Sequence, residues 1–257
     1  MKILIIGAGV VGTATGEGFR RLGHDVVFHD TNHQRKADLI KQGYTVFDGR
    51  YPNPNEMNAI FICVEEWNID KVFKDWHPFF SSGNSDVIIR STVPPGTCRR
   101  LSKEYNIDVI HNPEFLKEAT ALHDFMNPDK IIIGEDRGTF KCISTLYSSF
   151  VDVPKIYVGT VTSEFLKLAS NAVLSSYISM WNQLKIIADK LGVNSHEVAK
   201  ILTLDPRISK YGTIHGKRFA GFCLPKDLET LVKVGADMKA DTTLLDAVRV
   251  INKEMPE

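Results

Sequence analysis

Ile3-Leu4-Ile5-Ile6-Gly7-Ala8-Gly9-Val10-Val11-Gly12 decides how the first half of the chain folds. The apolar run reads as a strand buried on both faces, and the glycines after it read as a strand-to-helix turn. The pattern is G-x-G-x-x-G, whose glycines permit a tight turn, close approach of backbone to a diphosphate, and close packing of helix on strand. Asp30 ends the next apolar run, 25–29. A carboxylate there accepts both ribose hydroxyls of a dinucleotide and repels a 2′-phosphate. The expected cofactor is therefore NAD rather than NADP, bound by Gly7, Gly9, Val10, Val11, Gly12 and Asp30. His33 and Lys36 read as solvated helix residues.

Working outward, short apolar runs recur at 3–6, 25–29, 59–64, 87–90, 109–111, 130–134 and 155–158. Amphipathic stretches at 12–22, 34–42, 69–79, 97–105 and 139–150 alternate with them. That alternation predicts a doubly wound α/β domain with a parallel sheet over residues 1–160. Beyond it no strand is expected. Residues 161–257 form a smaller all-α domain, opened by one long helix over 162–191 that Gly192 stops. Asn194 with Glu197 makes a capping box for a helix toward Leu204, and two further helices are expected over 226–237 and, capped by Asp241, 242–253.

Among 257 residues, 31 lysines and arginines balance 31 aspartates and glutamates, so no basic field exists to gather nucleic acid or an anionic membrane. No signal segment or membrane span is expected. Cys63, Cys98, Cys142 and Cys223 are scattered without a C-x-x-C pair, which suits a reducing compartment better than disulfides or a metal site. A soluble, cytoplasmic protein is the expectation.

Four places carry candidate chemistry. Lys167 and Asn171 share one face of the long helix amid apolar neighbours, a placement that fits either a snorkelling lysine or one held in a cleft. Ser91-Thr92-Val93-Pro94 and Asn112-Pro113-Glu114-Phe115-Leu116-Lys117-Glu118 follow strands, where open parallel sheets gather ligands. Asp124, Asp129 and Glu135 read as surface charges. Cys223-Leu224-Pro225-Lys226-Asp227 sets a thiol beside a cation and a carboxylate. A cysteine there is either a small buried hydrophobe or a nucleophile whose thiolate the cation favours. Asp227 is either a base or a helix cap.

Taken in order, the glycine fingerprint, Ser91-Thr92-Val93-Pro94, the 112–118 segment, Asn127-Pro128-Asp129-Lys130, Lys167 with Asn171, Asp205-Pro206-Arg207-Ile208 and Cys223-Leu224-Pro225-Lys226-Asp227 resemble the UDP-glucose/GDP-mannose (nucleotide-sugar) dehydrogenase family over nearly the whole chain. The resemblance implies an NAD-dependent oxidoreductase that takes C6 of a nucleotide sugar, UDP-glucose or a relative, to the uronic acid in two hydride steps. It implies capture of the aldehyde by Cys223 as a thiohemiacetal, then a thioester cleaved by water. By the same likeness Lys167 and Asn171 stabilise the oxyanion, Thr92, Glu114 and Asp227 handle water and protons, and Thr92 and Lys226 also meet the cofactor. Glu114, Phe115, Leu116, Lys117, Glu118, Lys167 and Asn171 hold the substrate, and Arg207 reaches the substrate of a neighbouring subunit in a homodimer built on the long helix.

Three departures from the family pattern stand out. The family continues into a domain that holds the uridine diphosphate, whereas this sequence ends at Met255-Pro256-Glu257, so a short form is expected. The glycine-rich run before the cysteine is replaced by the bulkier 212–220, where Lys217 and Arg218 are either phosphate contacts or solvated. Val64-Glu65-Glu66-Trp67 replaces a small residue, threonine and proline near the nicotinamide half of the cofactor. Two alternatives remain: a two-electron 3-hydroxy-acid dehydrogenase, in which Cys223 has no role, and a truncated dinucleotide-binding subunit that depends on a partner chain.

Overall fold

A computed structural model describes residues 1–47, 53–138 and 142–257. The chain divides into two compact units, Met1–Phe165 and Leu166–Glu257, a division five residues beyond the expected 160/161 boundary.

In the first unit, strands β1 (Lys2–Ile6), β2 (Asp25–His29), β3 (Thr45–Val46), β4 (Ala59–Ile62), β5 (Asp86–Ile89), β6 (Val109–His111), β7 (Ile131–Gly134) and β8 (Lys155–Val158) form one sheet. Its order is β3-β2-β1-β4-β5-β6-β7-β8. The first six strands have the dinucleotide-binding order, with β1 and β4 flanking the point where the winding reverses. Pairing is parallel throughout except between β6 and β7, which meet antiparallel at His111 and Gly134. The expected doubly wound parallel sheet is present, with one antiparallel joint: β7 and β8 form a parallel pair of their own, turned over there.

Alternate residues of the central strands β1, β2, β4, β5 and β6 enter different cores, which is why those strands read as unbroken apolar runs. Ile3 and Ile5 pack on one face with Phe19 of α1 (Val10–Arg21), Leu39 of α2 (His33–Lys41), Phe125 of α5 (Ala121–Met126) and Leu146 of α6 (Ile143–Leu146). Leu4 and Ile6 pack on the other with Phe73 and Trp76 of α3 (Ile69–Ser82) and Leu101 of α4 (Thr97–Tyr105). Each fully buried side chain of this kind contributes about 1.5–3 kcal/mol. The helix expected over 139–150 is confined to Ile143–Leu146, residues 139–141 lying outside the described ones. Its start is fixed from a distance: Asp86 Oδ2 accepts from the amides of Cys142 and Ile143 at 2.7 and 2.9 Å.

The second unit is helical, with no strand among its residues: α7 (Thr160–Leu191) continues into it, followed by α8 (Ser195–Leu202), α9 (Cys223–Asp237) and α10 (Thr243–Glu254). Gly192 ends α7 at φ +68, the left-handed conformation expected of it. Asn194 Oδ1 then accepts from the amides of His196 and Glu197, opening α8. Ala172, Phe219, Leu228 and Val248 make the core. Helix α9 begins at Cys223, three residues earlier than expected, so the cysteine occupies a first turn instead of a loop.

Candidate active site

At the fingerprint, Gly7 has φ +92, and a Cβ there would stand 2.6 Å from the Cys63 carbonyl oxygen. A Cβ on Gly12 would stand 1.9 Å from the Gly7 oxygen. Neither position admits a side chain, whereas Gly9 faces open space. Gly9 caps α1 without any side-chain hydrogen bond to its amides. Backbone N–H groups and the positive end of the helix dipole are thus presented together, as a diphosphate requires. Asp30 follows β2 and turns back to this turn: Oδ2 accepts from the Ala8 amide at 2.7 Å and Oδ1 from the Asn32 amide at 2.8 Å. Each oxygen keeps acceptor capacity for a ribose hydroxyl. These residues fit a bound dinucleotide.

The second unit gathers the residues from the long helix and from 223–227. Cys223 opens α9 and is exposed. Lys226 and Asp227 follow one turn later, on the same side of the helix. Asp227 is 1% exposed. It is held from two directions, by the Lys226 ammonium at 2.6 Å and by Asn171 Nδ2 of α7 at 2.6 Å. Lys167, one turn before Asn171, is buried, which resolves the alternatives at that residue against a snorkelling side chain. A carboxylate, an ammonium group and an amide are therefore fixed in the first turns of the helix that carries the thiol.

The cysteines differ in kind. Burial pushes the Cys63 thiol up to about 12 and drives Cys98 well above its ordinary value. Both stay protonated. Cys223, exposed in a first helical turn, stands where the helix favours an anion.

Other expected residues lie in the first unit. Thr92 follows β5 and is partly buried. Glu114 is 7% exposed, and its Oε2 accepts from the Leu116 amide at 2.6 Å, which shapes the turn after β6. Phe115 and Leu116 are partly buried, while Lys117 and Glu118 are exposed. Asp124 is no free surface charge: its Oδ2 accepts from the Lys117 amide and the Thr120 hydroxyl. In the second unit Arg207 is exposed and forked on Asp205, with Nε and Nη2 contacts of 3.0 and 2.6 Å. Arg218 pairs with Glu257, and the 212–220 segment is pinned where Asn182 bonds both Gly216 N and Lys217 O.

Several buried groups escaped the sequence reading. Glu164 accepts from the amides of Gly96 and Cys98, at 2.5 and 2.7 Å, and so caps α4. Burial raises its pKa, while those hydrogen bonds pull the other way. His111 Nδ1 meets Ser163 Oγ at 2.8 Å. Arg90 is 5% exposed and joins Asn112 and Tyr147 through Nη1. The one available signal was a charge closing an otherwise apolar strand.

Comparison with known proteins agrees with this construction. The UDP-glucose/GDP-mannose dehydrogenase family, NAD binding domain, matches residues 47–151, and the central domain of that family matches 161–254. A UDP-glucose 6-dehydrogenase of Rickettsia conorii is 31% identical over 291 aligned positions, covering all of this chain and 67% of the relative. The solved UDP-glucose dehydrogenase of Pyrobaculum islandicum superposes with a TM-score of 0.89 at 27% identity, over 98% of this chain and 68% of that one. A UDP-D-ManNAc dehydrogenase from Pyrococcus horikoshii shares the fold, with a TM-score of 0.85 at 24% identity. No helix among the described residues is long and apolar enough to cross a membrane. A fingerprint built for NAD, the fold around it and the whole-length match agree: the chain belongs to the UDP-glucose/GDP-mannose dehydrogenase family, and its cofactor is NAD.

Proposed function

We propose that this chain oxidises the C6 alcohol of a nucleotide sugar, UDP-glucose or a relative, to the uronic acid in two hydride steps, with Cys223 as the nucleophile. NAD, when bound, supplies the hydride acceptor, and two are reduced for each sugar. The observation that carries the reading is an exposed thiol at the start of α9, one turn from Asp227, whose carboxylate Asn171 of α7 anchors at 2.6 Å. An alcohol loses a hydride and a proton to become an aldehyde. The Cys223 thiolate adds to that carbonyl carbon, forming a C–S bond and an alkoxide. Lys167 and the remaining N–H of Asn171 are the donors suited to that oxyanion. Loss of a second hydride leaves a thioester, and water then breaks the C–S bond, releasing carboxylate and returning the thiol. Asp227, with Glu114 and Thr92, takes and returns protons in these steps. Phe115, Leu116, Lys117 and Glu118 face the sugar nucleotide, and Lys226 and Thr92 the cofactor.

A homodimer belongs to the same proposal. Val173, Tyr177, Met180, Leu184, Ile187 and Leu191 are all at least 38% exposed and recur along α7 at alternating spacings of four and three. Such a stripe suits the seam of a helix that pairs with its own copy and is what supports the proposal. Arg207 would then serve the neighbouring subunit's substrate.

Stoichiometry tests the reaction across a panel of UDP- and GDP-hexoses. Two NADH per sugar consumed are expected, and a single NADH would overturn the four-electron course in favour of a two-electron dehydrogenase. Saturable NAD binding without turnover of any panel member would favour a chain that depends on a partner.

A further inference from the structure

We propose that the cavity beside Arg90, in the first unit, is a binding site for a small oxyanion of phosphate size. Arg90 is 5% exposed. All its hydrogen bonds among the described residues run from Nη1, to the Asn112 side chain at 2.5 Å, the Asn112 carbonyl at 3.3 Å and the Tyr147 hydroxyl at 3.1 Å. Nε is buried and has no partner. Every hydrogen-bond partner of this guanidinium among the described residues is a neutral group rather than a carboxylate, although a buried charge left uncompensated is costly to remove from water. The Nη1 bonds, with Phe125 stacked 5.5 Å from the guanidinium carbon, fix the plane of the group. What they leave is the Nε–Nη2 edge, the fork that grips a carboxylate or phosphate through two parallel bonds.

Arg90, Asn112, Tyr147 and Lys130 all line one cavity of about 140 Å³. That is well under the roughly 300 Å³ at which pockets begin to hold drug-sized ligands, a size that suits a small anion. Three carboxylates share the lining with three cations, and one oxygen of each of two is held by the loop itself: Glu114 Oε2 by the Leu116 amide, and Asp124 Oδ2 by the Lys117 amide and Thr120 hydroxyl. The third, Asp129, is exposed. Lys130 lies 4.6 Å from the Phe115 ring centroid and adds a second cation to the wall. An occupant would complete the missing counter-charge and brace the loop that carries Glu114.

The test uses the protein without dinucleotide or sugar, so it stands whether or not the proposed oxidation does. Orthophosphate titrated against chloride at matched ionic strength should bind saturably at one site by calorimetry. A short carboxylate such as acetate in a parallel titration separates a carboxylate site from a phosphate site. Arg90→Lys, which keeps the charge and loses the fork, should weaken phosphate at least about tenfold. A crystal of the unaltered protein soaked in selenate decides the case if that variant does not fold: selenium in the cavity supports the proposal. Selenium only elsewhere, no saturable phosphate binding, or unchanged affinity in Arg90→Lys would overturn it.

Discussion

Gly7 and Gly12 matter for the atoms they lack, whereas the roles proposed for Cys223, Lys167, Asn171 and Asp227 rest on atoms their side chains supply. The fingerprint is a backbone site, contained within one strand, one turn and one helix end. The helical cluster is a side-chain site, assembled from α7 and α9, whose members stand far apart in sequence. Gly7 and Gly12 leave no room for an added atom, and the chemistry proposed for the second depends on every atom its side chains supply. That difference orders the predictions.

The largest effect is expected at the thiol. Cys223→Ser should leave the fold intact, because the residue is exposed, while uronate formation falls by about 10³-fold or more, the scale of losing a covalent nucleophile. Parallel assays of NADH and uronate check it, and near-normal uronate output would break the side-chain half of the comparison. Next comes Asn171→Ala, which removes a proposed oxyanion donor and should lower kcat about 10²-fold. It also strips the buried Asp227 of a partner, so urea unfolding should show a loss of about 1–3 kcal/mol. A kcat loss without the stability loss would mean that the 2.6 Å hydrogen bond contributes nothing to the fold.

Gly12→Ala sharpens the other half. The added carbon meets backbone 1.9 Å away and cannot be relieved by a rotamer change, so a stability loss of about 1–3 kcal/mol and weakened NAD binding should appear together in thermal melts with and without NAD. Smallest is a pH effect. A hydrogen bond from Arg99 holds the Asp136 carboxyl down to about 2, from an ordinary 3.8. Its contribution is present above 3.8 and is lost as pH falls toward 2. Asp136→Asn should flatten the acid limb of a stability-against-pH curve by under about 1 kcal/mol, because Arg99 is largely exposed. An unchanged acid limb would remove Asp136 from the account of acid stability.

The same contrast explains what was legible. Seven of the eight strands announce themselves because each is a continuous apolar run, and β3, two residues long, offers no period to read. The reversed joint at His111 and Gly134 is a matter of topology that no local pattern encodes. Glycine spacing gives the dinucleotide turn almost completely, since the ligand is met by backbone. For the helical cluster, types and spacing suggest Lys167 with Asn171 and Cys223 with Asp227 as separate pairs, but not the hydrogen bond that joins them. Glu164 capping α4 and Asp86 capping α6 were hidden for the same reason: each cap is supplied from more than fifty residues away. Arg90 was passed over because its charge closes a strand that otherwise reads as plain core.

The central claim is that the sugar carbon becomes bonded to the sulfur of Cys223. Intact-protein mass spectrometry of Asp227→Asn, quenched in acid during turnover with NAD and the best sugar nucleotide, tests it most directly. An added mass equal to the acyl sugar nucleotide, mapped by proteolysis to the peptide bearing Cys223, is the predicted result. Uronate formed at two NADH per sugar by Cys223→Ala, with no adduct on any peptide of the Asp227→Asn protein, would contradict it.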